Sequence, residues 1–349
     1  MKKTLICVIA GGIVAIAGAG IFATTLAHGA TGYDSRFITV GVDREDGEFE
    51  LGFWQDDDDD YRSPTPSAHS APSAPSVSAS TPESSSTTSV ASNDTAAALS
   101  RPEDASVLTA ADLLALKIDV KSATVEVKQG KAFDVSGRGV GDLDWSYDQA
   151  RDTVTVTSQH EVTYFDDDDR VVYITLPQNT ALNTLTVEIG TGGFELKQAN
   201  VTEIAVSTGM GDIDIENFTA TKIAIASGMG DVSLENGTAS TAALATGMGE
   251  LDISGSTIEI LLGDTGMGDI EVSGPIQSFD LSTGSGEVEM AIRGSASDYY
   301  VNLTNSMGTI QSPSGTSRNG SVTLGSDSAP YQGSVSTGAG SIEFRFTNK

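Results

Sequence analysis

Cysteine is almost missing from this chain: Cys7 stands alone among 349 residues. That excludes an internal disulfide and any metal cluster built from thiolates. Histidine is nearly as scarce, and His28, His69 and His160 fall in three unrelated stretches. No histidine pair therefore suggests a metal centre or a catalytic triad. Cations are also short, with 19 Lys and Arg against 48 Asp and Glu, a formal charge of −29. From residue 181 to the end the only cations are Lys197, Lys222, Arg293, Arg318, Arg345 and Lys349. An extended nucleic-acid site needs clustered cations to displace counterions, so nucleic acid is excluded as a partner. The same imbalance argues against docking the folded part on an anionic lipid surface, and in favour of attraction for cations. No Gly-x-Ser-x-Gly elbow, Walker loop or dinucleotide fingerprint occurs, and no cofactor is expected.

Long apolar runs are confined to the start. Residues 5–27, "LICVIAGGIVAIAGAGIFATTLA", carry no charge and follow Lys2 and Lys3. As a helix they span about 34 Å, enough for a bilayer core. Residues 1–30 are therefore expected to be a transmembrane anchor with a cytoplasmic N-terminus and an extracytoplasmic remainder. The alternative is a cleaved signal segment, which would leave the protein secreted. Residues 31–62 form a short acidic segment with two weakly alternating runs suited to a hairpin, ahead of Asp56–Asp60, a run expected to be solvated. Residues 63–105 collapse into Ser, Pro, Ala and Thr. Lacking apolar residues to offset ordering entropy, they are expected to be a disordered stalk. Its reach is about 36 Å as a coil and about 130 Å in polyproline form.

Beyond the stalk, residues 106–349 are expected to form one all-β domain. "TAADLLAL" at 109–116, with Thr109 as cap, is the one helical phrase. Period-two runs then follow one another: "LKIDV", "ATVEV", "FDVSG", "LDWSY", "TVTVT" and "VVYITL". Asp166–Asp169 are expected to form a hairpin turn between strands. Over about 190–290 a phrase recurs. Gly-Met-Gly begins at Gly209, Gly228, Gly247 and Gly266, and a Gly-Ser-Gly variant at Gly284. Degraded copies start at Gly190, Asn305 and Ser336. Fixed periods near 20 residues mean stacked supersecondary units, and 19 residues suit a β-solenoid coil rather than a four-stranded propeller blade.

The columns of such a stack predict its core. Ile213, Val232, Leu251, Ile270 and Val288 form one apolar column, and Ile215, Leu234, Ile253, Val272 and Met290 a second. Ile204, Val206, Ile223, Ile225, Ala242 and Leu244 supply the opposite wall, while Gly263 falls in Leu244's place and predicts a bulge. Asp214, Ser233, Asp252, Glu271 and Glu289 should face water. Gly209, Gly211, Gly228, Gly230, Gly247, Gly249, Gly266 and Gly268 are expected at a corner needing positive φ or close backbone approach. Met210, Met229, Met248 and Met267 are expected to fill that corner, the alternative being an exposed contact stripe.

Asp212, Asp231, Glu250, Asp269 and Glu287 form a cation-attracting acidic edge beside the hydroxyls of Thr208, Ser227, Thr246, Thr265 and Thr283. The acid follows glycine directly, unlike the acid of Gly-rich calcium-binding β-helices, so no metal site is assigned. No catalytic residue is assigned either, because a catalytic pair should interrupt a repeat and here every acid conforms to its column. A β-helix enzyme cleaving glycans remains the enzymatic alternative.

The strand ending at Leu176-Pro177, the "LNTLTVEI" strand and the recurring Ser/Thr-Gly-x-Gly-Asp-Ile phrases resemble the DUF4097 family, bacterial β-strand-repeat proteins labelled as adhesins. The likeness covers about 116–349 and implies a β-solenoid-like domain outside the membrane, linked with the cell envelope and its stress responses. It implies no catalytic residues. Together these readings predict a non-catalytic envelope protein that binds or scaffolds. Its expected partner is an envelope polymer, a host ligand or another membrane protein that it regulates.

Overall fold

The computed structural model describes residues 36–42, 49–55, 108–159 and 170–347. The expectations for the anchor at 5–27, Asp56–Asp60, the stalk, the Asp166–Asp169 turn, Cys7 and all three histidines lie outside the described residues. Among the described residues no helix is long and apolar enough to cross a membrane.

Strands β1 (Arg36–Val42) and β2 (Phe49–Gln55) pair antiparallel, with Arg36 opposite Gln55 and Val42 opposite Phe49, the hairpin expected of the acidic segment. The helical phrase at 109–116 shrinks to one 3-10 turn, Ala110–Asp112. Asp112 Oδ2 accepts from both the backbone N–H and the hydroxyl of Thr109, at 2.8 and 2.6 Å. Leu113 and Leu116 are then drawn into the core, so the chain becomes strand at Ala115 instead of completing a helix.

Every alternating run of the sequence is a strand. They are β3 (Ala115–Ser122), β4 (Thr124–Gly130), β5 (Asp134–Arg138), β6 (Asp144–Asp148), β7 (Thr153–Ser158), β8 (Val171–Pro177) and β9 (Ala181–Thr191). In the repeat come β10 (Phe194–Met210), β11 (Ile213–Met229), β12 (Val232–Glu235), β13 (Thr238–Met248), β14 (Leu251–Ser254), β15 (Thr257–Met267), β16 (Ile270–Gly274), β17 (Ile276–Ser285) and β18 (Val288–Arg293). Last are β19 (Tyr299–Ser312), β20 (Gly315–Gly325), β21 (Tyr331–Ala339) and β22 (Ile342–Thr347).

Pairing in the repeat is parallel and in register at the sequence period. Ile213 faces Val232, Val232 faces Leu251, Leu251 faces Ile270, and Ile270 faces Val288. These side chains and the second apolar column are essentially fully buried. They meet the opposite wall, where Ile204 faces Ile223 and Ile223 faces Ala242. Each buried Val, Leu or Ile contributes about 1.5–3 kcal/mol, so the stack of columns supplies the main driving force.

The bulge expected at Gly263 is not there. Leu244, Gly263 and Leu281 stay in register across three coils. Leu281 Cδ2 lies 2.8 Å from where a Cβ on Gly263 would stand, so the next coil's leucine occupies the space and no register shift is needed. The single-residue shortening of the repeat falls instead at the second corner. There the stretch Gly255-Ser256-Thr257 is replaced by Gly274-Pro275, as the pairings Ser254–Ser273 and Ile258–Ile276 require.

That second corner has a column of its own. Gln198, Asn217, Asn236 and Gly255 all adopt left-handed backbone, with φ of 59°, 54°, 53° and 63°. Asparagine and glycine tolerate that conformation, which explains the "EN" and "SG" endings of the short strands.

At both ends the stacking order departs from the chain order. The β3–β4 coil lies inside the β7–β8 coil, because β3 pairs with both β7 and β9, and β4 with both β8 and β10. Antiparallel β6 and β5 then close the two outer edges. At the other end β21 and β22 slip between β17–β18 and β19, and antiparallel β20 closes the edge. The degraded copy at Ser336 is thus the immediate neighbour of the Gly284 coil, and the copy at Asn305 lies outside it.

Candidate functional site: the glycine corner

Two glycines turn each coil, for different reasons. A Cβ on Gly228 would meet the carbonyl oxygen of Gly209 at 2.5 Å, so the first glycine is needed for close approach of neighbouring coils. Gly230 has φ +138°, and its Cβ would stand 2.2 Å from the Gly211 carbonyl oxygen, so the second is needed for both conformation and space. The equivalent glycines at 209, 211, 247, 249, 266 and 268 are as tightly placed.

The hydroxyls of the corner point inward. Thr208, Thr246, Thr265 and Thr283 are buried and donate to the carbonyls of Gly192, Gly230, Gly249 and Gly268 at 3.0–3.1 Å. Thr337 bonds Gly286 in the same way, and in the outermost coil the Asn305 amide does so to Gly340. Ser227 is buried in the same column, but its hydroxyl has no partner. The expected pairing of acids with hydroxyls on one surface is therefore corrected, because the hydroxyls are occupied in holding coil to coil.

In the acidic column Glu250 is half-buried and the other four members are exposed, and the three aspartates each use one carboxylate oxygen structurally. Asp212 Oδ1 accepts from the Asp231 N–H, Asp231 Oδ1 from the Glu250 N–H, and Asp269 Oδ1 from the Glu287 N–H, at 2.7–2.9 Å. Charge-assisted bonds of this kind offset the repulsion of carboxylates about 4.8 Å apart, roughly 0.9 kcal/mol per pair in a water-like dielectric. Among the described residues no three His, Cys, Asp or Glu side chains converge as a metal cage.

Beside this column the outer face of the short-strand wall carries Glu195, Asp214, Ser233, Asp252, Glu271 and Glu289 in register. At its margins it carries ion pairs: Lys197 pairs with Glu195 and Glu216, and Arg345 with Glu289 and Glu343. Lys222 is the single Lys or Arg between 198 and 292, and it binds Glu203 on the other wall. Partial burial, then repulsion from Glu195, Asp212, Glu216 and Glu235, raises the Asp214 carboxyl above its ordinary range. Burial followed by Glu271 and Glu235 does the same to Asp252. Glu250 is raised by burial and then by Asp252, Asp231, Glu271 and Asp269.

The methionines do not fill the corner. Met210, Met229, Met248 and Met267 are 41–57% exposed and stand outside it as a ridge, in register from coil to coil. Their carbonyls accept from Gly192, Gly211, Gly230 and Gly249 of the preceding coil, which fixes the ridge backbone. Strict alternation from the inward Val206 and Thr208 would have turned Met210 inward; the intervening Gly209 rotates the chain and reverses the phase.

A family model described as Toastrack DUF4097 matches residues 114–345. The chain belongs to this family. The match begins one residue before β3 and ends inside β22, so the Toastrack domain comprises every coil of the stack and both capped ends. Two solved structures are similar. A "putative adhesin" from Bacteroides fragilis is 18% identical over 66% of this chain and 91% of its own, with a TM-score of 0.43. A "putative cell adhesion protein" from Clostridium sporogenes is 10% identical over 69% of this chain and 96% of its own, with a TM-score of 0.25. No curated protein matches.

Proposed function

We propose that this Toastrack protein is a non-catalytic interaction module of the bacterial envelope. In this reading residues 5–27 anchor it, residues 63–105 hold it away from the membrane, and residues 106–349 present a β-solenoid whose acidic wall is read by a partner. One observation carries the proposal. The acids of the corner repeat in every coil from Asp212 to Glu287, those of the short-strand wall are broken only by Ser233, and the buried threonine hydroxyls beside them are tied up between coils, which leaves a regular charged surface and no differentiated catalytic group. A crevice near the second corner, lined by Lys128, Gln129, Thr180, Lys197, Gln198 and Asn200 among others, contains no carboxylate and does not supply the acid pair of a glycosidase.

The partner is an envelope polymer, a host ligand or another membrane protein. In-cell photocrosslinking from Glu271, with Ser334 on the other wall as control, tests the proposal. Adducts confined to the acidic wall support it. Glycan turnover abolished by one acid-to-amide change would replace it with the enzymatic reading. Topology is tested separately by labelling a Ser80→Cys, Cys7→Ser variant in intact cells with a membrane-impermeant maleimide, which is expected to react.

A further inference from the structure

The fold does not require methionine on the corner ridge. The same register position holds Thr191 in one neighbouring coil, Ser285 in another and Ala339 in the next, all with the same backbone pairing. Four consecutive coils nonetheless carry methionine there, 41–57% exposed. An exposed Met contributes little to stability, and its distinguishing property is a soft, polarizable thioether.

Parallel in-register strands place equivalent side chains about 4.8 Å apart. The three rotatable side-chain bonds of each methionine let two thioethers on neighbouring strands converge on one ion from that spacing. Soft thioether ligands select monovalent copper over hard cations. The carboxylates of Asp212, Asp231, Glu250 and Asp269 lie two residues after each ridge methionine and add a field that draws a cation to the ridge without having to ligate it. We propose that the ridge is a binding site for soft monovalent d10 cations, copper(I) or silver(I). Each ion sits between two stacked methionines, one between Met210 and Met229 and another between Met248 and Met267. Ions in adjacent intervals would share a sulfur, so alternate intervals are filled. Met307 stands apart, separated from Met267 by the Ser285 and Ala339 coils, and has no stacked thioether neighbour. Thioethers carry no proton, so binding does not require deprotonation, unlike binding at cysteine or histidine.

The test uses the full chain in detergent, with Cys7→Ser to remove the competing thiol and ¹³C-labelled methionine methyls, titrated with silver nitrate in chloride-free buffer. The methyl signals of Met210, Met229, Met248 and Met267 are expected to shift together and saturate at one ion per pair, while the buried Met290 stays unmoved. Replacing the four ridge methionines by Leu preserves apolar bulk and is expected to leave the melting temperature unchanged while weakening silver binding by more than about tenfold. Met229→Leu alone should halve the stoichiometry. Unmoved ridge methyls, or equal affinity in the four-Leu variant, would overturn the proposal. Neither outcome bears on whether the acidic wall recognises an envelope partner.

Discussion

At Ser227 the ladder of hydroxyls misses a rung. Its neighbours in the column, Thr208 and Thr246, donate to glycine carbonyls of the preceding coil, whereas the Ser227 oxygen is buried and unpaired. Threonine adopts the bonded geometry in five equivalent coils, so Ser227→Thr is expected to stabilise the domain by about 1 kcal/mol in urea unfolding. Thr246→Val should cost a similar amount, and no gain from the threonine would show that the ladder is not stabilising. Gly230→Ala, which meets both a forbidden φ and a backbone oxygen, is expected to cost about 3 kcal/mol or more. Met248→Ala, on the exposed ridge, should stay within about 0.5 kcal/mol. The glycines were legible in the sequence because their spacing admits one explanation. The directions of the threonines and methionines were not, because period-two counting assumes an unbroken strand and the first corner glycine reverses the phase.

Individual strands were legible almost completely, since strands buried on one face force strict alternation and nearly every alternating run obeyed it. What the sequence left open was how the outward residues add up. Aligned coils convert single acids into columns, and three members, Asp214, Asp252 and Glu250, have carboxyl groups raised above their ordinary values. A carboxyl raised on folding weakens the folded state while both states are ionised. That penalty is relieved as pH falls through the folded value, and the contribution vanishes below the unfolded value, near 3.8 for Asp and 4.5 for Glu. Asp112, lowered by its bonds to Thr109, acts in the opposite sense at a single site. The melting temperature is therefore expected to rise as pH is lowered from 7 towards the ordinary carboxylate range. Asp252→Asn should stabilise by about 0.5 kcal/mol at pH 7, within the usual range for like charges facing across a strand pair, and should flatten the pH dependence. A melting temperature that falls steadily over that interval would contradict this reading.

For the whole molecule, a formal charge of −29 with few internal cations makes self-repulsion a general term. Salt shortens the screening length from about 10 Å at 0.1 M to about 3 Å at 1 M, so sodium chloride should raise the melting temperature across that range. The capped ends were the least legible part, because nothing local in β7 or β21 records which coil it will lie beside. They are plugged by aromatic contacts: Phe133 meets Trp145 edge-on at 5.2 Å, and Tyr299 packs against Tyr331 and Phe346. Deleting 326–347 removes β21 and β22, an inner layer instead of an outer one. It should abolish cooperative unfolding of the remaining coils rather than trim one end, which urea titration followed by circular dichroism would show. The order of stacking also bears on how the domain is made. Each coil in the middle lies on the one before it in the chain, whereas β19, paired antiparallel with β20, joins the described strands of the stack only through β21 and β22. The outer layer of the stack therefore depends on an inner layer that the chain supplies after it, so its place in the domain is set by strands later in the sequence.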